Sequence, residues 1–309
     1  MKENKKVNTS KTLKRMLKSW QLYMMMLPAV LYTIIFAYKP MYGILIAFQD
    51  FSVRKGVWGS EWVGFEHFTR LFNSYWFPII MKNTLTISLM GLFISFPMPI
   101  LLALLLNEVR NDKFRSLVQT VSYAPHFIST VVMCGMIVLF LDPTTGIVNK
   151  MIESLGMESV FFLQKPNLFK WVYTLSGIWQ SIGWASIIYY AALSSVDKTL
   201  LEAADIDGAT RLQKIWYINI PELLPTIVVM FILQCGSILS VGYEKTFLLQ
   251  TDTNLTGSEV ISTYVYKVGL VESDFSFSTA TGLFNTVVNC AVLLCANWLS
   301  KKITKSGLL

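Results

Sequence analysis

Four carboxylates, Asp197, Glu202, Asp205 and Asp207, lie close together and are of the type that could hold a divalent cation. No His or Cys joins them, and helical spacing would scatter them around an axis, so no metal site is expected there. The sequence has two histidines, His67 and His126. His126 follows Pro125 in an apolar run, where an imidazole could relay protons; its expected role is to satisfy a backbone carbonyl freed by the proline. Asp252-Thr253-Asn254-Leu255-Thr256-Gly257 begins like a calcium loop, but Thr263 stands where the closing Glu should be. Cys134, Cys235, Cys290 and Cys295 have no CxxC spacing and no neighbouring His, which argues against zinc and against a disulfide framework. No GxxxxGK[ST] occurs, so the chain cannot cradle nucleotide phosphates in a P-loop. No catalytic residue, metal or cofactor of its own is expected. An enzyme at membrane depth would need a convergent constellation, and only His126 is available.

The elements that carry these residues are dictated by composition. Of 309 residues, 53% are hydrophobic and 15% charged, with a mean hydropathy of +0.50. Soluble domains carry about 25% charged residues, so much of this surface is expected to face lipid. Six windows contain no Asp, Glu, Lys or Arg: 19–38, 83–107, 116–141, 171–196, 223–243 and 277–300. Each reaches the roughly 20 residues needed to cross the hydrocarbon, which predicts an all-α membrane protein with six spanning helices. The first window has neither the short apolar core nor the cleavage site of a signal peptide, and it is expected to stay as a helix.

The net charge of +7 is concentrated at the start of the chain, in Lys2, Lys5, Lys6, Lys11, Lys14, Arg15 and Lys18. No aromatic-interleaved basic patch accompanies it, so it reads as a topology signal rather than a nucleic-acid site. Counting Lys and Arg between windows places both termini in the cytoplasm. The expected organisation is a basic cytoplasmic tail 1–18, a first helix with its external connection 19–82 and a transmembrane domain 83–300. A cytoplasmic loop 197–222 lies within that domain, and a tail 301–309 follows it. Stretch 146–155 has apolar residues at helical spacing and is expected to lie along the membrane surface.

The informative segment is 197–222. Leu201 to Ala204 are good helix formers, Gly208 supplies a turn, and LQKIWYINI is amphipathic up to Pro221, which with Pro225 is expected to open the fifth helix. The reading is a helix–turn–helix lying flat on the cytoplasmic face and offering small apolar residues to another surface. Glu202-Ala203-Ala204, three residues, Gly208, nine residues, Ile218, Asn219, Ile220 and Pro221 resemble the EAA loop of ABC importer permeases. Ile220 replaces the usual Leu, a conservative apolar exchange. Asp207-Gly208-Ala209 is similar to the sugar-importer branch. Tyr38-Lys39-Pro40-Met41-Tyr42-Gly43 and Tyr123-Ala124-Pro125-His126-Phe127 look like the branch associated with complex or polysaccharide-derived oligosaccharides.

The resemblance implies a type I (MetI-like) permease fold in a bacterial plasma membrane. It also implies a second, homologous permease, two cytoplasmic ATPase subunits carrying ATP and Mg, and an external binding protein that delivers an oligosaccharide. Glu202 would anchor the loop to the ATPase, Ala203 and Ala204 would make the close contact, and Gly208 would form the bend. Asp207, Ala209, Ile218 and Pro221 complete the coupling motif. Polar and aromatic residues in the windows are candidates for the sugar pathway: Trp179, Gln180, Trp184 and Tyr189 in the fourth, Gln234 and Ser237 in the fifth, Asn285 and Asn289 in the sixth. Each could equally join helices or anchor at the interface. The alternative is a secondary transporter driven by an ion gradient, which the absence of Asp, Glu, Lys and Arg from all six windows disfavours.

Overall fold

A computed structural model describes residues 18–304. The basic tail expected at 1–18 lies outside the described residues except for Lys18, as do 305–309 of the last tail. The chain opens with α1 (Trp20–Phe48), followed by a two-stranded antiparallel hairpin in which β1 (Gln49–Asp50) pairs with β2 (Glu61–Trp62). A short α2 (Glu66–Phe72) leads to the long α3 (Trp76–Glu108), then α4 (Asp112–Phe127), α5 (Thr130–Phe140) and α6 (Ile147–Ser154). The second half comprises α7 (Pro166–Ser194), α8 (Lys198–Ile206), α9 (Arg211–Cys235), α10 (Tyr243–Leu249), α11 (Ile261–Tyr266) and α12 (Phe275–Thr304).

Among the described residues α1, α3, α9 and α12 are long and apolar enough to cross a membrane, and the bent pair α4–α5 makes a fifth such span. The expected sixth, α7, has 29 residues, and so the length, but it carries Ser176, Gln180, Ser181 and several Trp that lower its hydropathy. The reason is its position: α7 packs against α3, α4 and α9. A helix surrounded by protein need not be as greasy as one facing lipid. In contrast, none of the apolar window of α1 is buried within the chain, and only its final turn, Tyr42–Phe48, packs on α12.

Two windows differ from straight spans. Window 116–141 is broken by a bend of 102° between α4 and α5. Pro125 sits in a 3₁₀ turn (Ala124–Phe127), Ile128 is extended, and Ser129 caps α5 by accepting from the Val132 amide. The freed Ile128 carbonyl accepts from Gln180 Nε2 at 3.2 Å. His126 therefore does not have the carbonyl-satisfying role expected of it; its ring stacks on Trp184 at 4.6 Å, nearly parallel. The fifth window starts earlier and stops sooner than 223–243. α9 runs unbroken from Arg211, so Pro221 stands inside it rather than at its opening. A π-turn at Ile215–Asn219 absorbs the missing N–H just before the proline. The helix ends at Cys235, leaving 236–242 without regular helix.

Packing is centred on α3 and α7. Ala103 and Leu104 of α3 meet Tyr189 and Leu193 of α7 and Leu223 of α9 at one end. Ile87 meets Met133, Cys134, Ile137 and Phe169 towards the other. In lipid such contacts stabilise through van der Waals packing rather than expulsion of water. The amphipathic 146–155 stretch does form a helix, α6. It is pinned by Asn149, whose amide donates to the carbonyls of Leu141, Asp142 and Val160 and accepts from the Val160 amide.

Candidate coupling loop and transport cavity

The loop 197–222 is built by its own caps. Asp197 opens α8 by accepting from the Thr199 amide at 2.9 Å, and its bonds from Thr199 hold its carboxyl below the usual carboxylate range. α8 closes with a Schellman motif: the Ala209 amide donates to the Ala204 carbonyl at 2.9 Å and the Gly208 amide to Asp205 at 3.2 Å. Gly208 adopts φ +75°, a left-handed conformation that favours glycine. Thr210 then starts α9 in a reciprocal capping box with Gln213. Lys214 bridges to Asp205 at 2.7 Å, tying the second helix back to the first.

This geometry divides the motif into two surfaces. Ala204, Asp207, Gly208, Ala209 and Ile218 line a shallow concavity of about 270 Å³ with Lys214 and Tyr217. Glu202 and Ala203 face outwards and are exposed. Glu202 makes no ion pair with Lys198 or any other described cation, so its carboxylate is available to something outside the chain. Pro221 is exposed on α9. Ile206 and Leu212, which the motif does not include, are 87% and 68% exposed beside it. Their signal was legible as the apolar half of an amphipathic pattern.

The pathway candidates do not converge. Gln234 and Ser237 line one cavity of about 140 Å³ with Ser88 and Gly91 of α3, Tyr173 of α7 and the 238–242 segment. That cavity exists because α9 stops there. Asn289 of α12 holds the break: its Oδ1 accepts from the Leu239 amide at 2.8 Å and its Nδ2 donates to Ser240 Oγ at 3.0 Å. Irregular backbone at membrane depth is tolerated where it is so satisfied and borders a cavity. Asn289 is thus a structural support, and Asn285 has a buried Oδ1 with no hydrogen-bond partner. Trp179 lies in a separate apolar groove with Phe140 and Trp171. Gln180 and Trp184 serve the α4–α5 bend, and Tyr189 is 3% exposed in the core. Polarity identified residues with partners but not the direction each one faces. Tyr173 and Ser240 were missed, the first because aromatics are plentiful and the second because the helix end was placed too late.

Replacing Asn289 by Leu is expected to destabilise the folded protein by about 1–3 kcal/mol, since the Leu239 amide is left buried without an acceptor. Thermal unfolding in detergent measures it. An unchanged midpoint would mean that water replaces the amide.

Residues 95–305 match the family of binding-protein-dependent transport system inner membrane components. The chain belongs to that family. Among its relatives, the polygalacturonan/rhamnogalacturonan transport system permease protein YteP of Bacillus subtilis is 43% identical over 98% of this chain and 95% of its own length. Protein LplB of Bacillus subtilis is 40% identical over 93% of this chain and 90% of its own. The fold is matched by a crystal structure of a bacterial alginate ABC transporter in complex with alginate pentasaccharide-bound periplasmic protein. It has a TM-score of 0.89 and 44% identity, and covers 96% of this chain and 99% of that one. The chain is accordingly an ABC importer permease for polysaccharide or oligosaccharide uptake, a translocating subunit rather than an enzyme.

Proposed function

We propose that this permease carries an oligosaccharide released by polysaccharide breakdown, delivered by an external binding protein, and that it pairs with a second permease. The cargoes named for its relatives, polygalacturonan/rhamnogalacturonan and alginate, support that class. Two ATPase subunits holding ATP and Mg supply the energy at the 197–222 loop, and both termini lie in the cytoplasm with that loop. The observation that carries the reading is the continuity of α9. One helix begins at the turn beside Glu202 and Gly208 and ends at the cavity wall formed by Gln234 and Ser237. Movement imposed on the loop by closure of an ATPase dimer therefore reaches the cavity along a single helix, continuous through its π-turn.

Glu202, Ala203 and Ala204 supply the contact with the ATPase, Gly208 the bend, and Asp207, Ala209, Ile218 and Pro221 the shape of the concavity. In the cavity, Gln234 and Ser237 offer hydrogen bonds to sugar hydroxyls. Asn289 supports its wall through Leu239 and Ser240, whereas Trp179, Gln180, Trp184, Tyr189 and Asn285 stand outside its lining.

Reconstitution into proteoliposomes with both permeases, the ATPase and the binding protein tests this. Uptake should require ATP, and Glu202→Lys should reduce it at least tenfold while the protein still inserts and melts normally. Uptake driven by a sodium or proton gradient without ATPase would establish the secondary-transporter alternative instead.

A further inference from the structure

α10 carries a lysine to which none of the steps above gives a role. Lys245 is 9% exposed, and its Nζ donates to the Tyr173 carbonyl at 2.7 Å and lies 4.5 Å from the centroid of the Tyr173 ring. Room for the ammonium comes from Gly177, one turn further along α7, where a Cβ would stand 3.2 Å from Nζ. An ammonium has three donors, and the protein supplies one hydrogen-bond acceptor and one ring face. Among the described residues no carboxylate pairs with it, and its neighbour Glu244 is exposed. Burying a cation without a counter-charge is costly, and such a group marks a site whose partner comes from elsewhere.

Two further observations give the missing partner a place and a sign. Tyr173, on which the ammonium rests, is itself a wall of the cavity that holds Gln234 and Ser237, and its hydroxyl lies against Gly242, three residues before Lys245. One turn before Tyr173 on the same face of α7 stands Lys170, half-buried and in no ion pair among the described residues, and burial with the Lys82 charge lowers its ammonium. Burial lowers the Lys245 ammonium to about 8, so the charge persists at neutral pH but is easily strengthened by an anion.

We propose that Lys245, approached past Lys82 and Lys170, selects an anionic cargo, an oligosaccharide of uronate sugars whose carboxylate takes the unused N–H groups of the ammonium. The proposal rests on the oligosaccharide reading and adds the charge of the cargo and the residue that reads it.

The test compares uptake of trigalacturonate with that of its trimethyl ester, the same sugar without charge, by the reconstituted complex. The binding protein's own preference is common to every variant and cancels in the ratio. Lys245→Met should lower the acid-to-ester ratio at least tenfold, Lys245→Arg should restore most of it, and Lys170→Gln, at a half-buried position, should lower it about threefold. Basal ATPase activity confirms that each complex has assembled; if Lys245→Met fails to assemble, the ratios of Lys245→Arg and Lys170→Gln against wild type decide. A ratio unchanged in Lys245→Met, or in Lys170→Gln where Met is lost, overturns the proposal while leaving oligosaccharide transport intact. Failure of the wild-type complex to import either sugar overturns the transport reading as well.

Discussion

Gly208→Val is expected to abolish ATP-driven uptake while leaving the protein inserted in the membrane. The residue sits at φ +75° with nothing within 4 Å of a Cβ, so the substitution meets no neighbour and acts on the backbone alone. A left-handed conformation costs an ordinary L-residue about 1–2 kcal/mol, and β-branching adds to it. That is enough to unmake a two-bond turn at the protein surface, after which α8 no longer stands at a fixed angle to α9. Gly208→Asn is the control, because Asn visits this conformation readily. Uptake and ATPase stimulation measured side by side should fall more than tenfold for Val and less than threefold for Asn. Equal losses would mean that the space occupied by glycine, not its conformation, is what the ATPase requires.

Gly183→Val is expected to prevent assembly of a stable bundle. Here the obstacle is a neighbour: a Cβ on Gly183 would lie 2.1 Å from the Ser122 carbonyl oxygen and 2.8 Å from the Tyr123 ring. These atoms belong to α4, so the two helices must separate along their line of contact. Overpacking of this kind costs about 1–3 kcal/mol, and more when backbone rather than a flexible side chain must yield. Gly43→Ala, where nothing lies within 4 Å, should leave the melting temperature unchanged. The readout is the monodisperse fraction in detergent and its melting temperature. A Gly183→Val protein that is stable and monodisperse would show that α4 has freedom to move away.

What sequence revealed and what it hid divide along a physical line. Runs without charge and the punctuation of 197–222 are local properties, so the spanning stretches, the turn at Gly208 and the helix 147–154 could be read directly. The break at Ile128–Ser129 was foreshadowed by Pro125, but the donor that makes it tolerable, Gln180, comes from 52 residues away. The early end of α9 was hidden because Ile238, Leu239 and Val241 are as apolar as the helix before them. Asn289 of α12 and Ser262 of α11, both distant in sequence, satisfy the backbone there. Tyr189 and Gln234 both looked like candidates for meeting sugar. Which way each faces is set by the crossing of α3, α7 and α9, and no periodicity in a single helix encodes that.

The length of α9 has a kinetic consequence. At 25 residues it is a rigid strut of about 37 Å, and its two ends cannot move at different times. Probes placed near Leu212 and near Ser237 should report one relaxation rate, with no interval in which the nucleotide side has responded and the cargo side has not. The four-residue tie from Thr210 to Gln213 fixes the strut at one end, and the π-turn at Ile215–Asn219 with Pro221 and Pro225 just beyond it is where any lag between the probes would originate.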